Sequence, residues 1–220
     1  MYPLDAANAF RLQIAAAKKR KNIFAKECNH RTIGASKKQM ENEREIIERI
    51  LRGESERYAY FVDKYSDALF SLVMQMSDCR EEAEELTQDI FLKAFEKLSS
   101  FNSGSKFSTW LYRIAYNTTV SAMRKKQAHR NVAIAEERLA DIDESAIDEL
   151  LDSEEEDMLA RLDKAIEQLT AEERALITLY YIEERGIGET AQITGLTESN
   201  VKVRLHRIRK KLYVLIMEDI

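Results

Sequence analysis

The sequence predicts an all-α fold built as two small helical domains joined by an acidic linker. Three observations predict it. Apolar residues make up 45% of the 220 and recur at helical spacing, with no segment alternating over strand length. One proline and six glycines leave too little turn chemistry for a sandwich, a barrel or a glycine-rich phosphate loop. The charge is also unevenly spread: the net −5 resolves into +7 over residues 1–39, −1 over 40–135, −11 over 136–157 and 0 over 158–220. An acidic run between two periodic blocks reads as a solvated spacer between folded units. The expected division is a basic extension at 1–39, a first helical domain at 40–130, a linker at 131–157 and a second domain at 158–220.

Taken in order, residues 1–39 admit two readings. The run AFRLQIAAAKKRKNIFAK is basic and amphipathic, suited to DNA or a membrane surface; the plainer reading, which we prefer, is an upstream extension outside the folded units. Ile46, Ile47, Ile50 and Leu51 mark the apolar face of a first helix. After Gly53, Tyr58, Phe61, Val62, Tyr65, Leu69, Leu72, Val73 and Met76 predict a longer second one. Ser77 or Asp78 is placed to cap a third helix, whose early acids Glu81, Glu82, Glu84 and Glu85 suit the positive end of its dipole. Its apolar face is Leu86, Ile90, Phe91, Ala94, Phe95 and Leu98. The run SSFNSGSK (99–106) is a loop, and a fourth helix is expected from Phe107 to Gln127.

The second domain opens near Asp157, with Leu159, Leu162, Ile166 and Leu169 on one face. Thr170 and Glu173 form a capping box before Ala175, Leu176, Leu179 and Tyr180. Residues 187–201 then carry the spacing of a helix-turn-helix. Ala191 is small where two helices cross, Gly195 suits a positive φ in the turn, Leu196 packs inward and Thr197 caps the next helix. That helix keeps Val201, Leu205, Ile208, Leu212 and Leu215 on one face. The other face offers Ser199, Asn200, Lys202, Val203, Arg204, Arg207, Lys210 and Lys211, a set suited to base edges and phosphates in a major groove.

Three stretches together resemble one known family. LTAEERALITLYYIEERGIGETAQITGLTESNVKVRLHRIRKKL looks like the domain of bacterial sigma factors that reads the upstream promoter element. AEELTQDIFLKAF (83–95) is similar to that family's polymerase-binding helix, and FSTWLYRIAYNTTVSAMRK (107–125) to its promoter-melting segment. Only about 27 residues separate Arg130 from Met158, too few for the extra three-helix domain of housekeeping sigmas. The plan therefore resembles the extracytoplasmic-function (ECF) group of the sigma-70 family.

The resemblance implies a factor that binds core RNA polymerase, recognises −10 and −35 promoter elements and nucleates melting. Its partners would be the clamp of the largest polymerase subunit, the flap of the second largest, promoter DNA and an anti-sigma factor. The residues fit these roles. Glu84, Glu85, Gln88 and Asp89 form an acidic-amide stripe that complements a basic partner, although acids at a helix start also serve the dipole alone. Phe101, Asn102 and Ser108 in the loop, with Arg113 and Asn117, are the candidates for capturing an unstacked −10 base; Arg124, Lys125, Lys126 and Arg130 are candidate phosphate contacts. Trp110 is read as core more readily than as a stacking surface. Thr197, Glu198, Ser199, Asn200, Lys202, Val203, Arg204 and Arg207 are the candidate −35 contacts. The acidic linker either occupies a basic RNA path in the polymerase or is a flexible spacer.

No catalytic constellation is expected. His30, His129 and His206 have no nucleophile or ligand partner in the sequence, and Cys28 and Cys79 stand alone, so neither enzymatic activity nor a metal or cofactor is predicted. No apolar run approaches the ~20 residues of a bilayer span, and a cytoplasmic location follows from free thiols and the lack of a signal peptide. An ordinary helix-turn-helix regulator and a helical adaptor are the competing classes. The FSTWLYRIAYN segment discriminates, because a repressor has no use for it.

Overall fold

A computed structural model describes residues 43–102, 104–126, 142, 146–147 and 156–218, and every regular element among them is helical. In the first half α1 (Glu43–Leu51) leads through a 3-10 turn, Ser55–Tyr58, into α2 (Ala59–Met76). Next come α3 (Arg80–Glu96), a second 3-10 turn at Leu98–Ser100 and α4 (Phe107–Lys126). In the second half α5 (Glu156–Glu167) precedes α6 (Ala171–Ile177), which widens into a π-turn at Thr178–Ile182. The helix-turn-helix follows as α7 (Ile187–Thr194) and α8 (Glu198–Glu218). The expectations for 1–39, for His129 and Arg130, and for all of the linker but Ile142, Ala146, Ile147, Glu156 and Asp157 fall outside the described residues; the last two begin α5 rather than end the linker.

The helices form where apolar residues recur at 3.6 spacing. Phe61, Leu69, Leu72 and Met76 of α2, Ile90 of α3, and Leu111 and Met123 of α4 meet in one fully buried core. Each such side chain stabilises the fold by about 1.5–3 kcal/mol. A second core gathers Leu162, Leu169, Leu176, Val201, Leu205, Ile208 and Leu212. Ile147, and in part Ile142, pack on this second core, so these two residues of the acidic stretch are covered by apolar side chains.

Four local expectations are corrected. Leu51 is 53% exposed, because α1 ends at its C-terminus and turns away through Gly53 at φ 112. The N-cap of α3 is Cys79, with no side-chain cap, rather than Ser77 or Asp78; extended backbone at Ser77 and Cys79 sets the helix start later. Phe95 is 37% exposed despite its place on the apolar face, and its ring meets that of Tyr58 edge to face at 4.9 Å. Lys211 lies largely buried and donates to Glu173 at 3.0 Å, so it leaves the open cationic face of α8.

The two halves are packed against each other. α7 lies along α4, while α6 lies against both α2 and α4. α6 explains how: Ala171, Ala175 and Leu179 enter the first core, and Leu176, Ile177 and Tyr181 enter the second. A helix apolar on two sides needs two partners. Arg174, 7% exposed, donates from Nη2 to the Met76 carbonyl at 3.0 Å, tying α6 to the end of α2.

Candidate polymerase and promoter interfaces

Three surfaces hold the residues singled out by the sequence. On α3, Glu84, Glu85, Gln88 and Asp89 are all exposed, while Leu86, Ile90 and Phe91 are buried beneath them. Glu84 accepts from Arg80 Nε at 2.7 Å, a surface pair of little energetic weight. One turn beyond Gln88 and Asp89 stands Leu92, 58% exposed, a residue sequence reading missed. It gives the polar stripe an apolar centre. A leucine placed outside the buried face, between two charged turns, was the available signal.

The second surface is the outer side of α4 and the loop before it. Phe101, Phe107 and Trp110 pack as a ring cluster with centroids 5.5–5.6 Å apart, and Phe107 packs on Phe61 at 4.2 Å with the rings tilted by 40°. Trp110 is half-buried in this cluster, so it both packs on the core and reaches the surface. Arg113, Asn117 and Arg124 follow it along the same exposed stripe; Asn102 in the loop is exposed, and Ser108, in the first turn of α4 rather than in the loop, is partly buried. Tyr116 does not share that face. It is buried toward the second half, and burial first, then the nearby Glu172, raises its pKa.

Two of the predicted phosphate contacts are occupied. Arg124 Nε donates to Glu172 at 2.6 Å, and Lys126 pairs with Glu82. Lys125 is exposed. The pairing with Glu172 spans the two halves, as do three further contacts sequence reading missed. Thr109 donates to Glu189 at 3.0 Å, Tyr112 donates to Glu183 at 3.2 Å, and the Arg185 guanidinium lies 4.4 Å from the centroid of the Tyr112 ring. Tyr112 is 1% exposed, and burial, reinforced by Glu183, pushes its pKa up to about 12. Residues 71 to 80 apart in the chain leave no local pattern to find.

The third surface is the outer face of α8. The Thr170–Glu173 capping box is present in full, with Glu173 N donating to Thr170 Oγ1 at 3.2 Å and Thr170 N to Glu173 Oε2 at 2.8 Å. It fixes the start of α6, against which α8 packs, while α7 packs on the π-turn that follows α6. Gly195 takes φ 75, the left-handed turn that a side chain resists. Thr197 Oγ1 accepts from Asn200 N at 3.2 Å, capping α8. Thr197, Glu198, Ser199, Asn200, Lys202, Val203, Arg204 and Arg207 are all exposed on the side away from Val201, Leu205 and Ile208. Arg204 Nε donates to Asn200 Oδ1 at 3.1 Å, which orders two of these side chains one turn apart.

Among the described residues, no group of three or more His, Cys, Asp or Glu could hold a metal, and no helix is long and apolar enough to cross a membrane. The family descriptions "Sigma-70 region 2" and "Sigma-70, region 4" match residues 61–129 and 159–212. The chain is 33% identical to the ECF RNA polymerase sigma factor SigW of Bacillus subtilis, over 76% of this chain and 92% of that protein. It is 27% identical to the RNA polymerase sigma-H factor of Pseudomonas aeruginosa, over 78% and 92%. Among solved structures, it is similar to the sigma factor RpoE in complex with the anti-sigma factor NepR from Bartonella quintana, with TM-score 0.52 and 26% identity over 74% of this chain and 98% of that one. CnrH in complex with the cytosolic domain of CnrY shares the fold at TM-score 0.56 and 23% identity, over 80% and 98%. With both regions matched, in this order on an all-helical chain, the protein belongs to the extracytoplasmic-function group of sigma-70-type RNA polymerase sigma factors.

Proposed function

We propose that the protein gives core RNA polymerase its promoter choice by dividing the work between its halves. The α3 stripe of Glu84, Glu85, Gln88, Asp89 and Leu92 docks on the clamp of the largest subunit. Acids around an exposed leucine suit a basic surface with an apolar centre, and the charges speed the encounter. The α4 face then holds the −10 element. An unpaired base needs an aromatic neighbour and a polar edge reader, which Phe101 and Trp110 supply on one side and Asn117, Arg113 and Asn102 on the other. Lys125 grips phosphate directly, and Arg124 and Lys126 do so on exchanging their surface partners Glu172 and Glu82. The α8 face enters the major groove of the −35 element, and the remainder of the second half is offered to the flap of the second-largest subunit. The protein acts in the cytoplasm, without catalysis of its own, and an anti-sigma factor is a further partner, a reading supported by the complex that the Bartonella quintana relative forms.

The observation that carries this reading is the presence in one chain of two DNA-competent faces of different chemistry. One is an aromatic and amide surface on α4, suited to single strands; the other is a cationic helix, α8, suited to a duplex. Elements centred at −10 and −35 lie about 25 base pairs apart, about 85 Å at ~3.4 Å per pair. Halves in mutual contact cannot span that distance, so promoter engagement requires them to part. Run-off transcription with purified core polymerase tests the reading. Promoters mapped from transcript start sites after overexpression are expected to give product only when both proteins are present. Tight operator binding without polymerase, and no stimulation of transcription, would instead make this a regulator.

A further inference from the structure

Val203 is 49% exposed and lies about half a turn from the buried stripe of Val201, Leu205 and Ile208, at the outermost point of α8. Its surroundings are polar or cationic: Ser199 one turn before it, Arg207 one turn after, Lys202 and Arg204 beside it. It is the single apolar side chain on this part of the helix surface. The Arg204–Asn200 hydrogen bond steadies the flank next to it. A β-branched residue has few rotamers and presents its two methyls at a fixed point.

From this placement we infer that Val203 reads the C5-methyl of a thymine in the −35 element. The inference rests on α8 entering the upstream element, as proposed above, and adds what one residue of it recognises. The major groove offers a single apolar feature, the thymine methyl, and apolar side chains are its readers. The cations around Val203 complement a polyanion and argue for DNA over a protein surface as the occupant. The neighbours divide the remaining work by chemistry. Asn200 and Arg204 hold hydrogen-bonding groups for base edges, while Lys202 and Arg207 hold charge for phosphates.

The test uses the full-length protein with core polymerase on its mapped promoter. Each thymine of the −35 element, on either strand, is replaced in turn by deoxyuridine, which removes the methyl and leaves every hydrogen bond. One position is expected to lose about three- to tenfold in competition binding with Val203 present, the worth of a methyl contact. The same substitution should be nearly silent in Val203→Ala, and Val203→Ile should restore sensitivity. The inference is overturned if no thymine is methyl-sensitive, if the sensitive position stays sensitive in Val203→Ala, or if the element has no A·T pair. It is also overturned if Val203→Ala weakens binding to core polymerase in the absence of DNA, because the side chain then meets a protein. Scrambling the whole −35 element separates the two levels. If that leaves binding unchanged, the upstream reading itself fails; if it abolishes binding while methyls are silent, only the role of Val203 falls.

Discussion

Gly195 has no neighbour within 4 Å of where a Cβ would stand, so its importance lies in its backbone alone. At φ 75 an L side chain is strained, and Gly195→Ala is expected to cost about 1–2 kcal/mol, read as a lower midpoint in thermal unfolding. Tyr112 supplies a pH-dependent test of the contact between the halves. Its folded pKa, about 12, lies above the ordinary value of 10, so the neutral phenol is the form the fold favours. The contribution is fully present below pH 10 and is lost as pH rises toward 12. Stability of the wild type should fall across that window, and the fall should be smaller in Tyr112→Phe, in alkaline denaturation followed by circular dichroism. Residues whose role is local were readable in the sequence: the Thr170 box, the Gly195 turn and the Thr197 cap each occupy the position that short-range chemistry dictates.

At the scale of elements, the two exposed helices make separable predictions. Asp89→Lys reverses a charge and Gln88→Ala removes an amide on an exposed stripe of α3, so the unfolding midpoint should hardly move. Affinity for core polymerase should drop at least tenfold, most at low salt, in a fluorescence binding assay. On α8, Arg207→Ala should weaken promoter binding almost evenly across sequences and reduce the slope of log K against log salt by about 1. The helices themselves were legible because apolar residues recur at helical spacing, and α6 is the one that buries two faces. Exceptions are instructive. Phe95 satisfies the period of α3 but sits near its end, where the bundle covers it only in part. Lys211 continues the cationic period of α8 but is turned to Glu173 on α6, 38 residues earlier in the chain and beyond the reach of any local sequence rule.

For the whole molecule, the contact between the halves was the part sequence did not disclose. Arg174 bonds to a carbonyl 98 residues away, and Glu172, Glu183 and Glu189 meet partners on α4. The one visible sign was α6 itself, apolar on two faces where a single core needs one. Replacing the buried Arg174 by Met leaves the Met76 carbonyl without this donor and should cost about 1–3 kcal/mol in urea unfolding. Spin labels at Ser121 on α4 and Gln192 on α7, both exposed on helices that pack together, should show short distances in the free protein and much longer ones when polymerase and promoter are added.

The division of labour between strand capture and duplex reading is tested most directly by permanganate reactivity of thymines around the −10 element. With core polymerase and this protein together, reactivity should appear there. With Asn117→Ala it should disappear while protection of the −35 element persists. Reactivity unchanged by Asn117→Ala, or absent from a promoter the two proteins occupy together, would contradict the account.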